Sequence, residues 1–302
     1  MYLNSSNKHK VYKSKTTWLV MKKKSEARQI IAKDGLTIRY WMDQDRTREN
    51  VVLLHTGSSS NHTSLETLER LLQQAGCATI LMDHRGVGYS DSPTKPEFYT
   101  QDRLSDDVKR IVEQEGLKRP ILLGHSIGFM AITDYALSSQ NAKGIVGICA
   151  SPNFAKTSKL PVFLATVLRR IDYSASVINS IKHLLKGGAR GDMPDFSTAE
   201  GKSDFPGAWL VLNDLPFSGI RKNNTAGADI GVYDVTGQLK KLTIPLNLVY
   251  GTEDLMVPKE AGDYIKSITT APCTVNVVNG GHSIPYTNPR AIFHAIESSL
   301  RA

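Results

Sequence analysis

From about residue 30 onward the apolar positions follow two patterns. Short runs dense in Val, Ile and Leu recur at residues 36–41, 51–55, 77–83, 121–124, 144–150, 246–250 and 274–278. Several are unbroken, as expected of strands buried on both faces of a parallel sheet. Between them lie stretches with helical spacing. In 63–75 the apolar face is Leu65, Leu68, Leu71 and Leu72, with Thr63 and Glu66 at capping-box spacing and Gly76 as a stop. In 100–115 the stripe is Leu104, Val108, Ile111 and Val112, again followed by a glycine. A third, almost wholly apolar helix is predicted over 127–137. Strands alternating with helices imply an α/β fold, a mainly parallel central sheet with helices on both faces.

The rhythm breaks between residues 152 and 241. Helix-like segments at 160–170 and 175–185 and glycine-rich turns at 187–191 and 227–231 replace the strands. The expected organisation is a leader over 1–28, a core made of 29–151 and 242–302, and a largely helical cap insertion over 152–241. At 302 residues the chain is long enough for one sizeable core with such an insertion.

Charge changes little in this picture. The net +8 is concentrated in residues 1–28, where eight basic side chains face the single acid Glu26. That leader carries +7 and leaves +1 for the rest, so no nucleic-acid partner is expected. The basic leader reads as a solvated, disordered segment. Its apolar stretch Trp18-Leu19-Val20-Met21 is too short for a secretory signal. A targeting role stays open for it, as does a true start at Met21. No apolar run approaches the ~20 residues that span a bilayer. Cys77, Cys149 and Cys273 match no disulfide or metal spacing. They read as buried thiols of a chain in a reducing, cytoplasmic compartment.

The candidate chemistry begins at Gly124-His125-Ser126-Ile127-Gly128, a G-x-S-x-G sequence. A buried strand precedes it and an apolar helix follows, the context a nucleophilic serine on a tight strand-to-helix turn requires. Such a serine needs a base. Of eight histidines, His282 stands apart. It follows the last strand-like run through the turn Asn279-Gly280-Gly281, which puts it on a loop at the carboxyl edge of the sheet. His55, His62, His84, His125, His183 and His294 read instead as packing or surface residues. The acid is assigned to Asp254, just beyond the run 246–250, with its neighbour Glu253 as the alternative. The loop after 144–150 offers no carboxylate.

With these residues in hand, the chain resembles the α/β-hydrolase superfamily over about residues 30–302. Asp83-His84-Arg85-Gly86-Val87-Gly88-Tyr89-Ser90 resembles the family's D-x-R-G-x-G-x-S loop, read as a structural turn. Gly251, Asp254 and Pro258 resemble its acid loop, and Gly281-His282 its histidine loop. The order Ser, Asp, His is the family's order. The resemblance implies oxyanion donors from the Ile127 N–H and, by position, the Gly57 N–H. It also departs from the usual His-Gly, since the chain reads His55-Thr56-Gly57-Ser58. Thr56, Ser58 and the hydroxyls of Ser58, Ser59 and Ser60 are further candidates.

The expected function is two-step acyl transfer from a small acyl substrate to water, of carboxylesterase or lipase-like type. The alternatives are a carbon–carbon bond hydrolase acting on a diketone, and a slow-turnover ligand-binding sensor. No cofactor or metal is expected. Leu160, Phe163, Leu164, Trp209 and Phe217 of the insertion suggest a partly apolar pocket.

Overall fold

The computed structural model describes residues 26–43, 48–57, 61–157, 233–254 and 256–300. The leader through Met21, the serines at 58–60 and the insertion from 158 to 232, with its five apolar pocket candidates, lie outside the described residues.

The described strands are β1 (Arg28–Ile31), β2 (Thr37–Met42), β3 (Val51–His55), β4 (Ala78–Met82), β5 (Ile121–His125), β6 (Gly144–Ile148), β7 (Leu246–Gly251) and β8 (Cys273–Val278). They form one sheet in the order β1-β2-β4-β3-β5-β6-β7-β8. β1 pairs antiparallel with β2, and β2 with β4; all other pairings are parallel. The parallel centre matches the unbroken apolar runs. β4 and β5 are buried at every position, because helices cover both of their faces.

β1 has no counterpart in the apolar pattern. Only Ile30 of its four residues is buried, so an edge strand with one inward side chain leaves no readable period. It begins at Arg28, the last residue of the basic leader, which pairs with Glu115 at 2.7 Å.

The principal helices are α1 (Glu66–Gln74), α2 (Gln101–Gln114), α3 (Ile127–Ser139), α4 (Glu260–Ile268) and α5 (Pro289–Leu300). The connection from β3 to β4 runs one way across the sheet. Those from β4 to β5, β5 to β6 and β7 to β8 run the other way. Right-handed crossovers therefore put α1 on one face and α2, α3 and α4 on the other. Accordingly α1 packs on α5, and α2 packs on α3. Up to Ala136, α3 is buried on nearly every side, between the sheet, α2 and the single helical turn Thr236–Leu239. This explains a helix without a polar face. Truncating its buried Phe129 costs about 3–5 kcal/mol on general grounds.

Two local expectations change. The capping box at Thr63 does not form. Asn61 Oδ1 accepts both the Thr63 N–H and its hydroxyl, closing a 3-10 turn over His62–Ser64, and α1 starts only at Glu66. The cap two residues upstream wins that competition. The strand expected over 144–150 ends at Ile148, because Cys149 has φ +47° and turns the chain out of the sheet.

Candidate active site

The order reverses beside β3, so the loops leaving β3 and β5 part at the carboxyl edge of the sheet, the place where open α/β sheets build their sites. Ser126 stands at that edge, between β5 and α3. Its backbone is left-handed, φ +54° and ψ −118°, a conformation that costs energy for any side chain. The two flanking glycines make the turn possible. A Cβ on Gly124 would run into the backbone of Gly128 and Phe129. One on Gly128 would meet the carbonyl oxygens of His55 and Thr56 within 3 Å. The G-x-S-x-G spacing thus brings the serine turn against the β3 loop.

The structure brings the three sequence-predicted side chains together. His282 Nε2 lies 3.1 Å from Ser126 Oγ, and His282 Nδ1 lies 2.9 Å from Asp254 Oδ2. A carboxylate only accepts, so Nδ1 carries the proton and Nε2 turns its lone pair to the serine hydroxyl. Asp254 Oδ1 accepts the N–H groups of Met256 and Val257 at 2.9 and 2.8 Å. Burial raises the Asp254 pKa, but the charge and hydrogen bond of His282 and the Val257 N–H outweigh it, holding the group below the usual carboxylate range. It is therefore ionised at neutral pH. Glu253, the alternative acid, is exposed. The acid and histidine loops also fit closely: a Cβ on Gly251 would strike the carbonyl of Gly280.

Ile127 opens α3, so its N–H has no acceptor within the helix. Gly57 lies just past β3, with its carbonyl 3.0 Å from His84 Nε2. The described residues thus include both expected oxyanion donors.

The D-x-R-G-x-G-x-S loop is tied into the fold by its own side chains. Asp83 accepts the N–H groups of His62 and Tyr89, and Ser90 Oγ donates to the Asp83 carbonyl. Arg85, fully buried, is clamped by Asp107 and Asp34.

Two residues near the site go beyond what the sequence pattern indicates. His125 Nε2 lies 3.0 Å from the His282 carbonyl oxygen, and Cys149 Sγ lies 3.6 Å from the same atom. His125 has one signal in the sequence, its place inside the G-x-S-x-G; Cys149 has none. The ligand atoms of His125, Cys149 and His282 lie within 4.8 Å of one another, a donor set suited to a soft metal ion. Each side chain already has a partner, however: His125 and Cys149 on the His282 carbonyl, and both ring nitrogens of His282 on Ser126 and Asp254. A metal bound there would have to take a His282 nitrogen from Ser126 or Asp254. The other dismissed histidines that are both described and buried, His55, His62 and His84, pack in the interior. Among the described residues, no helix is long and apolar enough to cross a membrane.

Comparison with known proteins agrees with this architecture. A family model described as the alpha/beta hydrolase fold matches residues 49–174. A proline iminopeptidase of Lactobacillus delbrueckii subsp. lactis is 27% identical over 238 residues, covering 70% of this chain and 76% of the relative. An esterase from Exiguobacterium antarcticum superposes with a TM-score of 0.68 at 19% identity, over 91% of this chain and 99% of that one. A putative aryl esterase from Burkholderia cenocepacia gives 0.70 at 18% identity, over 91% and 98%. At such identities the two structures speak for the fold alone. With a sheet of this order, a family model matching residues 49–174 and relatives of this kind, the chain is a hydrolase with the α/β-hydrolase fold.

Proposed function

We propose that the protein hydrolyses a carboxylic ester through a Ser126–His282–Asp254 triad and an acyl-enzyme. The observation that carries this reading is the continuous hydrogen-bonded chain from Ser126 Oγ through His282 to Asp254, at 3.1 and 2.9 Å. His282 Nε2 takes the serine proton as Oγ attacks the acyl carbonyl. Asp254 holds the tautomer and stabilises the imidazolium. The N–H groups of Ile127 and Gly57 receive the oxyanion. The protonated imidazole then gives its proton to the departing oxygen. Water attacks the acyl-enzyme with His282 again as base.

A second reading, cleavage of an amide after an N-terminal residue, is favoured by the iminopeptidase relatives. It uses the same triad, but the leaving amine must be protonated as it departs, and a carboxylate must pair with the substrate's cationic amino group. The phenolate of an activated ester leaves more easily than an amine, so a triad competent for amides also cleaves such esters. Ester hydrolysis is thus the activity common to both readings.

The test is turnover of short p-nitrophenyl esters beside proline p-nitroanilide, with fluorophosphonate labelling of the protein. Wild type is expected to label at Ser126 and to show the higher kcat/KM on esters. Ser126→Ala is expected to lose labelling and roughly 10⁵-fold in kcat. Ester turnover by Ser126→Ala at the wild-type rate overturns the triad. A higher kcat/KM on the anilide replaces the ester reading with the amide one.

A further inference from the structure

We propose that His125, seconded by Cys149, is a positioning residue that fixes the main chain of His282 and so holds its imidazole against Ser126. The proposal rests on the triad reading above.

The loop carrying His282 needs outside support. It leaves β8 through Asn279-Gly280-Gly281, with Gly280 at φ +130°, a conformation open to glycine and to few other residues. Two glycines impose little on the backbone, so contacts must set the loop. Gly280 O accepts the Glu253 N–H, Asn279 O accepts the Asn288 amide, and His282 O accepts from His125 and Cys149. The last two donors come from different strand ends, β5 and the turn after β6. They converge on a carbonyl belonging to the loop after β8. The base is thereby tied to the same strand that carries the nucleophile.

The proton on His125 can be placed. The His282 carbonyl only accepts, so Nε2 of His125 bears the hydrogen and Nδ1 is left with a lone pair. That Nδ1 is buried and has no hydrogen-bond partner. A buried imidazole nitrogen left unpaired destabilises the fold. A methionine would fill similar space without that cost, so what histidine adds here is the Nε2–H. Burial also drives the His125 pKa down to about 3, which keeps the ring neutral beside His282. It can therefore orient the base without opposing the positive charge that His282 acquires in the reaction. The rings stand 5.1 Å apart, tilted by 41°, so the His125 ring also packs against the His282 imidazole.

The test pairs His125→Gln with His125→Met. The glutamine amide nitrogen matches the reach of Nε2; methionine has similar length and no donor. His125→Met is expected to lose about 10–100-fold in kcat, with KM within about twofold, because a displacement near 1 Å can cost about 100-fold. His125→Gln is expected to stay within about threefold of wild type. Equal kcat for the two variants overturns the proposal. Should the methionine protein fail to fold, His125→Asn takes its place. Its amide is one methylene too short to reach the carbonyl, so asparagine is expected to be slow and glutamine fast, and equality again overturns the idea. Ser126→Ala run alongside separates the two failures. If it stays active, the triad reading falls; if it is inactive while Gln and Met match, only the positioning role falls.

Discussion

The described residues hold two aspartate–histidine pairs with the same shortest Nδ1–oxygen distance. His282 Nδ1 meets Asp254 at 2.9 Å, and His62 Nδ1 meets Asp83 at 2.9 Å. Their surroundings differ. The His282 side chain is 19% exposed and its Nε2 faces a serine hydroxyl. His62 is fully buried, with its Nε2 4.0 Å from Glu66, and its ring is covered by Trp41 and Tyr89 at centroid distances of 4.3 and 5.4 Å. Asp83 also takes the His62 and Tyr89 N–H groups, so this pair joins two loops. The lesson is that an aspartate–histidine bond orients an imidazole and nothing more. Chemistry requires the second nitrogen to face a nucleophile in a place that substrate can reach.

Swapping the acids should give the largest contrast. Asp254→Asn is expected to lower kcat by about 10⁴-fold, because an amide favours the wrong imidazole tautomer. Its stability should change little by comparison. Asp83→Asn is expected to do the reverse, losing about 3 kcal/mol in urea unfolding through a broken buried pair, with kcat reduced less than about tenfold. Similar kinetic losses in both would erase the distinction.

Acid titration sharpens it next. His55, His84 and His125 are bonded to carbonyls of Thr56, Gly57 and His282 rather than to carboxylates. Burial lowers their pKa values from the ordinary 6.5 to about 4, 3 and 3. Below pH 6.5 the unfolded chain takes up three protons that the folded chain refuses. Stability is then lost as pH falls from about 6.5 toward 4, with a slope of up to roughly 4 kcal/mol per pH unit from these groups. Urea unfolding between pH 7 and 4.5 measures it, and His125→Gln should remove about a third of the slope. An unchanged slope in that variant contradicts the neutral, buried state of His125.

The smallest effect is expected at Glu253. It is adjacent to Asp254 in sequence but exposed, so Glu253→Gln should leave kcat/KM within about twofold. A loss comparable to that of Asp254→Asn would move the acid by one residue.

Much of this was readable beforehand, and for identifiable reasons. The seven apolar runs became β2 to β8 because six of them carry buried positions and the last, β8, is half-buried at the edge of the sheet. Ser126, Asp254 and His282 were legible because each follows such a run within a few residues. β1 was not, since one buried isoleucine makes no period. Nor was the Asp83–His62 pair, whose members are 21 residues apart in chain and show no joint signature. His125 reads from the sequence as a packing or surface residue, and it is buried. What it bonds to lies 157 residues away.

The sequence by itself determined the order of strands and helices, the serine turn with its two small neighbours, and the short list of acids and bases. These depend on local sterics and on periodic burial, which a chain carries along its length. Only the tertiary structure decided that Asp254 and not Glu253 faces the imidazole, that the His282 ring presents Nε2 to Ser126 at hydrogen-bonding distance, and that His125 and Cys149 share the His282 carbonyl. Those outcomes depend on the register of β5, β6, β7 and β8 side by side. That register is set by the packing of the whole sheet and is written in no single segment.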